Sequence, residues 1–434
     1  MSPLAIGTAG LAAFFLLMAL RMPIAMCMLI VGFAGIALIN GPAAALATLS
    51  GETFELAGYI DLAVIPLFVF MGNMAATSGM SRDLYDAAYA WVGHRRGGLA
   101  ATTIVGCAGF AALSGSSFAS AVTMGRVALP EMKRHHYDDS LATGCVAAGG
   151  TLGYLIPPSS GFVIYAVLTE QSIARLFIAG IIPGLLLTGL FLLTIALWTR
   201  LYPAAGPAGT VSDQARRWAS LRRTSVFALV VLVTIGGIYG GIMTPEEAAG
   251  VGAFLTLLVA LLRRSLDRAR LEAAILHTLR TTSLTFMILI GAHVFIPFMA
   301  LSTIPGKLAT LVTGLPLGPG GILFVVLAAY VVLGTFLEGI AMLVLTLPVV
   351  FPVMLQLGYD PIWFGVMIVI VLEMGLISPP VGVNVFVVKG VAGEVPLGTI
   401  FRGIWPFWFA MLLCLAILAL FPQLALLLPQ AMLG

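Results

Sequence analysis

Two proline pairs, Pro157-Pro158 and Pro379-Pro380, stand 222 residues apart in stretches that are otherwise apolar. A Pro-Pro pair removes two backbone donors and frees carbonyls of the preceding helical turn. Within a bilayer such groups cost several kcal/mol each unless protein or water encloses them. Once enclosed, freed carbonyl oxygens can coordinate a cation such as Na⁺, and nearby helix N-termini attract anions. The first pair follows Gly149-Gly150-Thr151-Leu152-Gly153 and Ile156, and precedes Ser159. Upstream lies Ser114-Gly115-Ser116-Ser117, a cluster with the composition of a helical-hairpin tip. Small hydroxyl residues beside glycines also let membrane helices pack closely, so the serines alone do not define a site. The same grouping recurs near Gly334, Gly375, Ser378 and Val381, which favours two related cation sites.

Two acids fall in the second grouping, Glu338 at its hairpin tip and Glu373 before Gly375. Carboxylates inside a membrane are expensive and default to functional candidates, the alternative being a hydrogen-bonded strut. Ser116, Thr151, Ser159, Glu338 and Glu373 are therefore the candidates for substrate contact or coupling. His293, the single histidine within a predicted span, reads as a structural hydrogen-bonder. Arg126 and Lys389 could draw an anion or anchor lipid headgroups.

The elements that hold these groups are read from composition. Of 434 residues, 60% are hydrophobic and 9% charged, with a mean hydropathy of +1.10. A soluble surface needs about 25% charge. Long apolar runs such as Ala174 to Thr199 and Phe407 to Leu428 exceed the roughly 20 residues of a spanning helix. No period-2 segments of a membrane β-barrel occur. The fold class expected is an all-α polytopic membrane protein. Leu4 to Leu20 lacks a basic leading region and reads as a retained helix. The four cysteines read as core residues, with no disulfide or metal spacing. No nucleotide-binding loop is present, and no nucleic-acid partner is expected.

A shift of 222 residues also superposes Pro23 on Pro245, Pro130 on Pro352 and Gly153 on Gly375. This predicts two structural repeats, 1–200 and 224–434, joined by a polar linker at 201–223. In the first, helices are expected near 4–20, 22–39 and 59–79. A surface helix from Ser81 to Val92 follows, capped by Ser81, with Leu84, Ala88 and Trp91 on one face. A hairpin at 97–134 has arms of about 15 residues, or ~22 Å, too short to cross, so it re-enters. A broken helix at 141–169 and a final long helix complete the repeat. The second repeat carries its hairpin at 320–356 and broken helix at 362–389, after helices near 225–243 and 245–262. Basic clusters at Arg95-Arg96, Lys133-Arg134, Arg200 to Arg223 and Arg263 to Arg270 all fall on one side, the cytoplasmic one. Each repeat then makes five crossings, the second is inverted relative to the first, and both termini lie outside.

Ile65 to Asn73, Ser114 to Ser117, Gly149 to Gly153 with Ile156 to Ser159, and Glu373 to Gly382 together resemble the large membrane subunit of tripartite ATP-independent periplasmic (TRAP) transporters. The resemblance covers essentially the whole chain. It implies an elevator-type fold in the bacterial inner membrane, with a mobile body carrying both hairpins and both broken helices. It also implies Na⁺ as the coupling ion, a separate four-helix small membrane subunit, and a periplasmic binding protein delivering a carboxylate or sialic-acid-like anion. The family's first sodium site maps onto Ser114, Ser117, Gly153, Ile156 and Pro158. The second maps onto Gly334, Gly375, Ser378 and Val381; Ser378 stands where many members have threonine, and the hydroxyl is kept.

Two other readings compete. One is a stand-alone sodium–dicarboxylate symporter needing no binding protein. The other is an intramembrane enzyme, against which Glu338 and Glu373 align with Ser116 and Thr151 rather than with acids. No Ser-Lys, Ser-His or His-Glu-x-x-His signature lies within a span.

Overall fold

A computed structural model describes residues 2–209, 213–314, 316–337 and 339–433. Among these, all regular elements are helical. The first half contains α1 Pro3–Ala19, α2 Ile24–Asn40, α3 Pro42–Gly58, α4 Val64–Thr77, α5 Met80–Val92, α6 Gly98–Ser114, α7 Ser117–Arg134, α8 Asp139–Leu155, α9 Ser160–Thr169 and α10 Ile173–Leu201. The second contains α11 Gln214–Tyr239, α12 Pro245–Leu262, α13 Arg268–Leu301, α14 Ile304–Thr313, α15 Pro319–Gly334, α16 Gly339–Gln356, α17 Pro361–Ile377, α18 Val383–Ala392, α19 Leu397–Leu420 and α20 Gln423–Leu433. The chain is thus a multi-pass helical membrane protein. Seven helices are long and apolar enough to cross a bilayer, or eight if the bent pair α8–α9 counts as one. α1 and α2, at 17 residues each, sit at the lower limit of a span.

The halves correspond helix by helix. Moving α7 and α8 along the chain by 222 residues lands on the bounds of α16 and α17. Local chemistry sets the boundaries. Asp138 caps α8 by accepting from Ser140 and Leu141 N–H, and Asp360 caps α17 by accepting from Ile362 and Trp363 N–H. Thr244 and Glu247 form a reciprocal capping box on α12.

Several elements depart from the sequence reading. α5 starts at Met80 after Gly79, whose φ of 79° opens the helix without a side-chain cap, so Ser81 is buried within the helix and not its cap. Its buried face carries Tyr85 and Ala88, while Trp91 is exposed beneath the Arg217 guanidinium at 5.7 Å. α3 and α14 are helices that the apolar pattern left unassigned. The hairpin arms run 16 to 18 residues, about 24–27 Å, longer than expected yet still short of the ~30 Å hydrocarbon core. The apolar run at 407–428 is not one helix, because α19 stops before Phe421-Pro422 and α20 restarts beyond.

The segment expected as a linker is shorter than 201–223, since Asp213 caps α11 and the helix begins at Gln214. Its first part is docked. Gly97 N–H donates to the Gly206 carbonyl, Asp138 N–H to Ala205, and Gly209 N–H to Gly93. The Tyr137 hydroxyl donates to the Pro207 carbonyl at 2.8 Å and accepts from Leu99 N–H at 3.1 Å. Burial pushes this phenol up to about 12, so the clasp keeps its proton through the physiological range.

Two apolar cores result. The larger encloses α8 and α17, buried along their whole lengths after the first residue. The smaller joins Phe14 of α1, Met28 of α2, and Phe295 and Phe298 of α13. The buried helices cross their neighbours backbone to backbone. A side chain on Gly403 of α19 would strike the backbone of Ser140 in α8, and one on Gly144 would strike Gly403. Gly403→Val should therefore lower Tm in detergent by several degrees, as overpacking costs about 1–3 kcal/mol. Gly398→Ala, on the same helix with no heavy atom near the added carbon, should leave Tm unchanged.

Candidate functional site

The first hairpin tip and the first break meet. α6 ends at Ser114, Gly115 turns the chain at a φ of 57°, and Ser116 caps α7. Gly153 lies so close that an added carbon would sit 2.6 Å from the Ser116 carbonyl oxygen. One on Gly115 would sit 2.7 Å from that of Pro158. Ser160 closes the junction, its hydroxyl donating to the Gly115 carbonyl at 2.7 Å and its N–H at 3.2 Å. At the break α8 and α9 bend by 40°. Ser159 spans the interruption, donating its hydroxyl hydrogen to the Tyr154 carbonyl and accepting from Phe162 N–H. Thus Ser114, Ser117, Gly153, Ile156 and Pro158 belong to one junction of hydroxyl and carbonyl oxygens. The Ser114 and Ser120 hydroxyls pair at 2.9 Å.

The second tip meets the second break through Gly334 and Gly375, where an added carbon on Gly375 would fall 2.8 Å from the Gly334 carbonyl oxygen. Ser378 ends α17. Its hydroxyl donates to the Met374 carbonyl at 2.6 Å and accepts from Trp408 Nε1 of α19 at 2.9 Å. That hydroxyl is committed to two protein partners, and the Val381 side chain turns outward, 37% exposed. Any cation here would take mainly backbone carbonyls. Glu338 lies outside the described residues. Both Pro-Pro bonds are cis.

The remaining candidates separate. Thr151 is buried and donates to its own helix at the Ala148 carbonyl. His293 is hydrogen-bonded through Nδ1 to the Leu289 carbonyl at 2.9 Å, the structural role expected of it. Lys389 Nζ caps the end of α18 on the Gly393 and Val395 carbonyls, and Arg126 is exposed. Glu373 is buried and accepts from the Ser117 hydroxyl at 2.7 Å through Oε1. The two tips are therefore linked by a side-chain hydrogen bond that the repeat pattern did not anticipate.

Beside the first junction opens a cavity of about 620 Å³. One wall is formed by Ser116, Phe118, Tyr154 and Ser160, and the facing wall by Pro23 to Met26 of α2 with Thr281 and Thr285 of α13. No acidic or basic side chain lines it. Helices α7 and α9 both begin at its edge, so the positive ends of two helix dipoles supply the polarity an anion needs. Ser160, Thr281 and Thr285 were not singled out from sequence. Thr281-Thr282-Ser283 with Thr285 was the available signal, a hydroxyl cluster within an apolar helix.

A continuous helical bundle broken at two enclosed points is the architecture of a membrane transporter. It is similar to the solved structure of the YdaH transporter of Alcanivorax borkumensis, with a TM-score of 0.62 over 88% of each chain at 17% identity, a likeness of fold. Residues 11–424 match the family model of the tripartite ATP-independent periplasmic transporter DctM component, and the chain belongs to that family. It is 38% identical over 386 residues to the C4-dicarboxylate TRAP transporter large permease protein DctM of Pseudomonas aeruginosa, covering 88% of this chain and 89% of that one. It is 34% identical over 388 residues to the sialic acid TRAP transporter large permease protein SiaM of Vibrio cholerae, at 88% and 89% coverage. The chain is a transporter permease component, not an enzyme.

The Ser378–Trp408 bond ties the second break to α19, and two substitutions test it. Ser378→Ala and Trp408→Phe should each lower stability by about 1 kcal/mol. The double variant should lose little more than either single one, because both remove the same bond. Additive losses in thermal unfolding would show that the two side chains act independently.

Proposed function

We propose that this chain is the large membrane subunit of a secondary importer that moves a small organic anion inward with Na⁺. The observation that carries the reading is the cavity between the first junction and α2 with α13, edged by two helix N-termini and free of acidic and basic side chains. Such a cavity accepts an anion through backbone dipoles, while the adjoining hydroxyl and carbonyl oxygens suit a weakly held alkali cation. The first ion site comprises Ser114, Ser117, Gly153, Ile156 and Pro158. The second comprises Gly334, Gly375, Ser378 and Val381, the serine acting through its carbonyl. Ser116 faces the substrate, joined by Ser160.

The body around α8 and α17 moves as an elevator against a scaffold built on α1, α2 and α13. The separate apolar core of those three helices supports that division. The helix-by-helix correspondence of the halves supports two inverted repeats of five crossings. The basic loops then face the cytoplasm of a bacterial inner membrane, with both termini periplasmic. A four-helix small subunit packs on the scaffold, and a periplasmic binding protein delivers a carboxylate or sialic-acid-like substrate, as the relatives' names suggest.

Uptake by the purified complex in proteoliposomes, with and without a Na⁺ gradient, tests the reading. Equal uptake in Na⁺-free buffer under a proton gradient alone would overturn it. Ser117→Ala should raise the half-saturating Na⁺ concentration about fivefold, or ~1 kcal/mol for one lost ligand. Ser81→Ala on α5 should leave that concentration unchanged.

A further inference from the structure

Glu373 stands in the fourth turn of α17, 1% exposed, among residues that are apolar almost throughout. Its Oε1 accepts the Ser117 hydroxyl hydrogen at 2.7 Å, across 256 residues of chain, and its Oε2 has no hydrogen-bond partner. Among the described residues it takes part in neither of the two salt bridges, Arg263–Asp83 and Arg270–Asp267. A carboxyl group this deeply enclosed carries a large desolvation cost. One hydrogen bond is its visible return, and that bond is the side-chain link between the two candidate ion junctions.

The surroundings of each end give the link its meaning. At one end, Ser117 is packed into the first junction. Its carbonyl faces Gly150 and its N–H faces Gly153, both within about 3 Å of where an added carbon would stand. At the other end, Glu373 precedes by two residues Gly375, whose backbone rests directly on Gly334 of the second tip. The helix between Glu373 and Gly375 is continuous and wholly buried, so a displacement at one residue reaches the other without slack.

We infer that Glu373 is a positioning residue that couples the two ion sites, holding Ser117 in its liganding orientation and reporting that site's occupancy to the Gly334–Gly375 contact. The inference rests on the sodium reading. Ion binding at the first junction fixes Ser117, the hydrogen bond fixes Glu373, and α17 then presents Gly375 to the second tip in its binding arrangement. By linkage the second ion favours the first to the same degree. The role needs an acceptor oxygen at this position and does not need a change of charge.

The test is the Na⁺ dependence of uptake by the purified complex in proteoliposomes, read as a Hill coefficient and a half-saturating concentration, with thermal unfolding alongside. Wild type should give a Hill coefficient of about 2, the limit for two coupled sites. Glu373→Leu removes the acceptor and should bring the coefficient to about 1, with half-saturation raised several-fold and maximal uptake largely kept. Glu373→Met serves where leucine does not accumulate. Glu373→Gln keeps a carbonyl acceptor for Ser117 and should retain the wild-type coefficient. A purely structural role would lower Tm and maximal uptake in Leu, Met and Gln variants and leave the coefficient untouched, which overturns the proposal. Loss of cooperativity in Gln as severe as in Leu also overturns it, because the charge and not the acceptor would then matter. A wild-type complex indifferent to Na⁺ removes the sodium reading itself. Na⁺-dependent wild type with unchanged Leu and Met variants removes only the coupling role.

Discussion

A helix interrupted inside a membrane leaves peptide groups without partners, and the rest of this structure follows from the need to enclose them. Water is absent from the hydrocarbon core, so each freed carbonyl or N–H must find protein or an ion. α8 and α17 accordingly sit at the centre of the larger core, buried along nearly their whole lengths. Ser159 and Ser160 answer the first interruption, one bridging to Tyr154 and the other to Gly115. Ser378 and Trp408 answer the second. The hairpins exist to bring such partners from either side, which is why their arms stop short of a full crossing.

The polarity of the cavity is achieved without fixed charge. A lysine or arginine in its wall would hold an anion tightly and would itself have to be moved through, or exposed to, a low-dielectric barrier. Helix termini attract the same anion with partial charges that belong to the scaffold of peptide bonds. Under the sodium reading, cation and anion offset each other's charge, and the moving body contributes little of its own.

Much of this was legible in the residues. Proline pairs, glycine runs and serine clusters repeat at one spacing, and each marks a backbone event that no other residue type produces as reliably. The helices flanking them therefore came out within a few residues, as α8 and α17 show. Elements without such punctuation were missed or misjudged. α3 carries Glu52 and Glu55 in a half-exposed helix and gives no strong apolar period. α11 begins in a basic stretch whose charge read as linker, although Asp213 provides a cap. The Ser117–Glu373 bond was out of reach for a different reason. It joins parts of opposite repeats, and a repeat pattern aligns equivalent positions without saying which non-equivalent ones touch. The hydroxyl of Ser378 shows the same limit, because its commitment to Trp408 depends on how α19 crosses the break.

The glycine crossings within the body have a mechanical meaning. Where α8 meets α19, and where α15 meets α17, peptide backbone lies on peptide backbone with no side chain between. Side chains are the compliant part of a protein interface, because they change rotamer and absorb small displacements. Backbone in direct contact has no such give. A push on α19 from outside the body is therefore delivered to α8 at full amplitude, and one on α15 to α17. The joints behave as dowels rather than cushions, turning ten or so helices into a single stiff part that loads shift as a whole and do not bend.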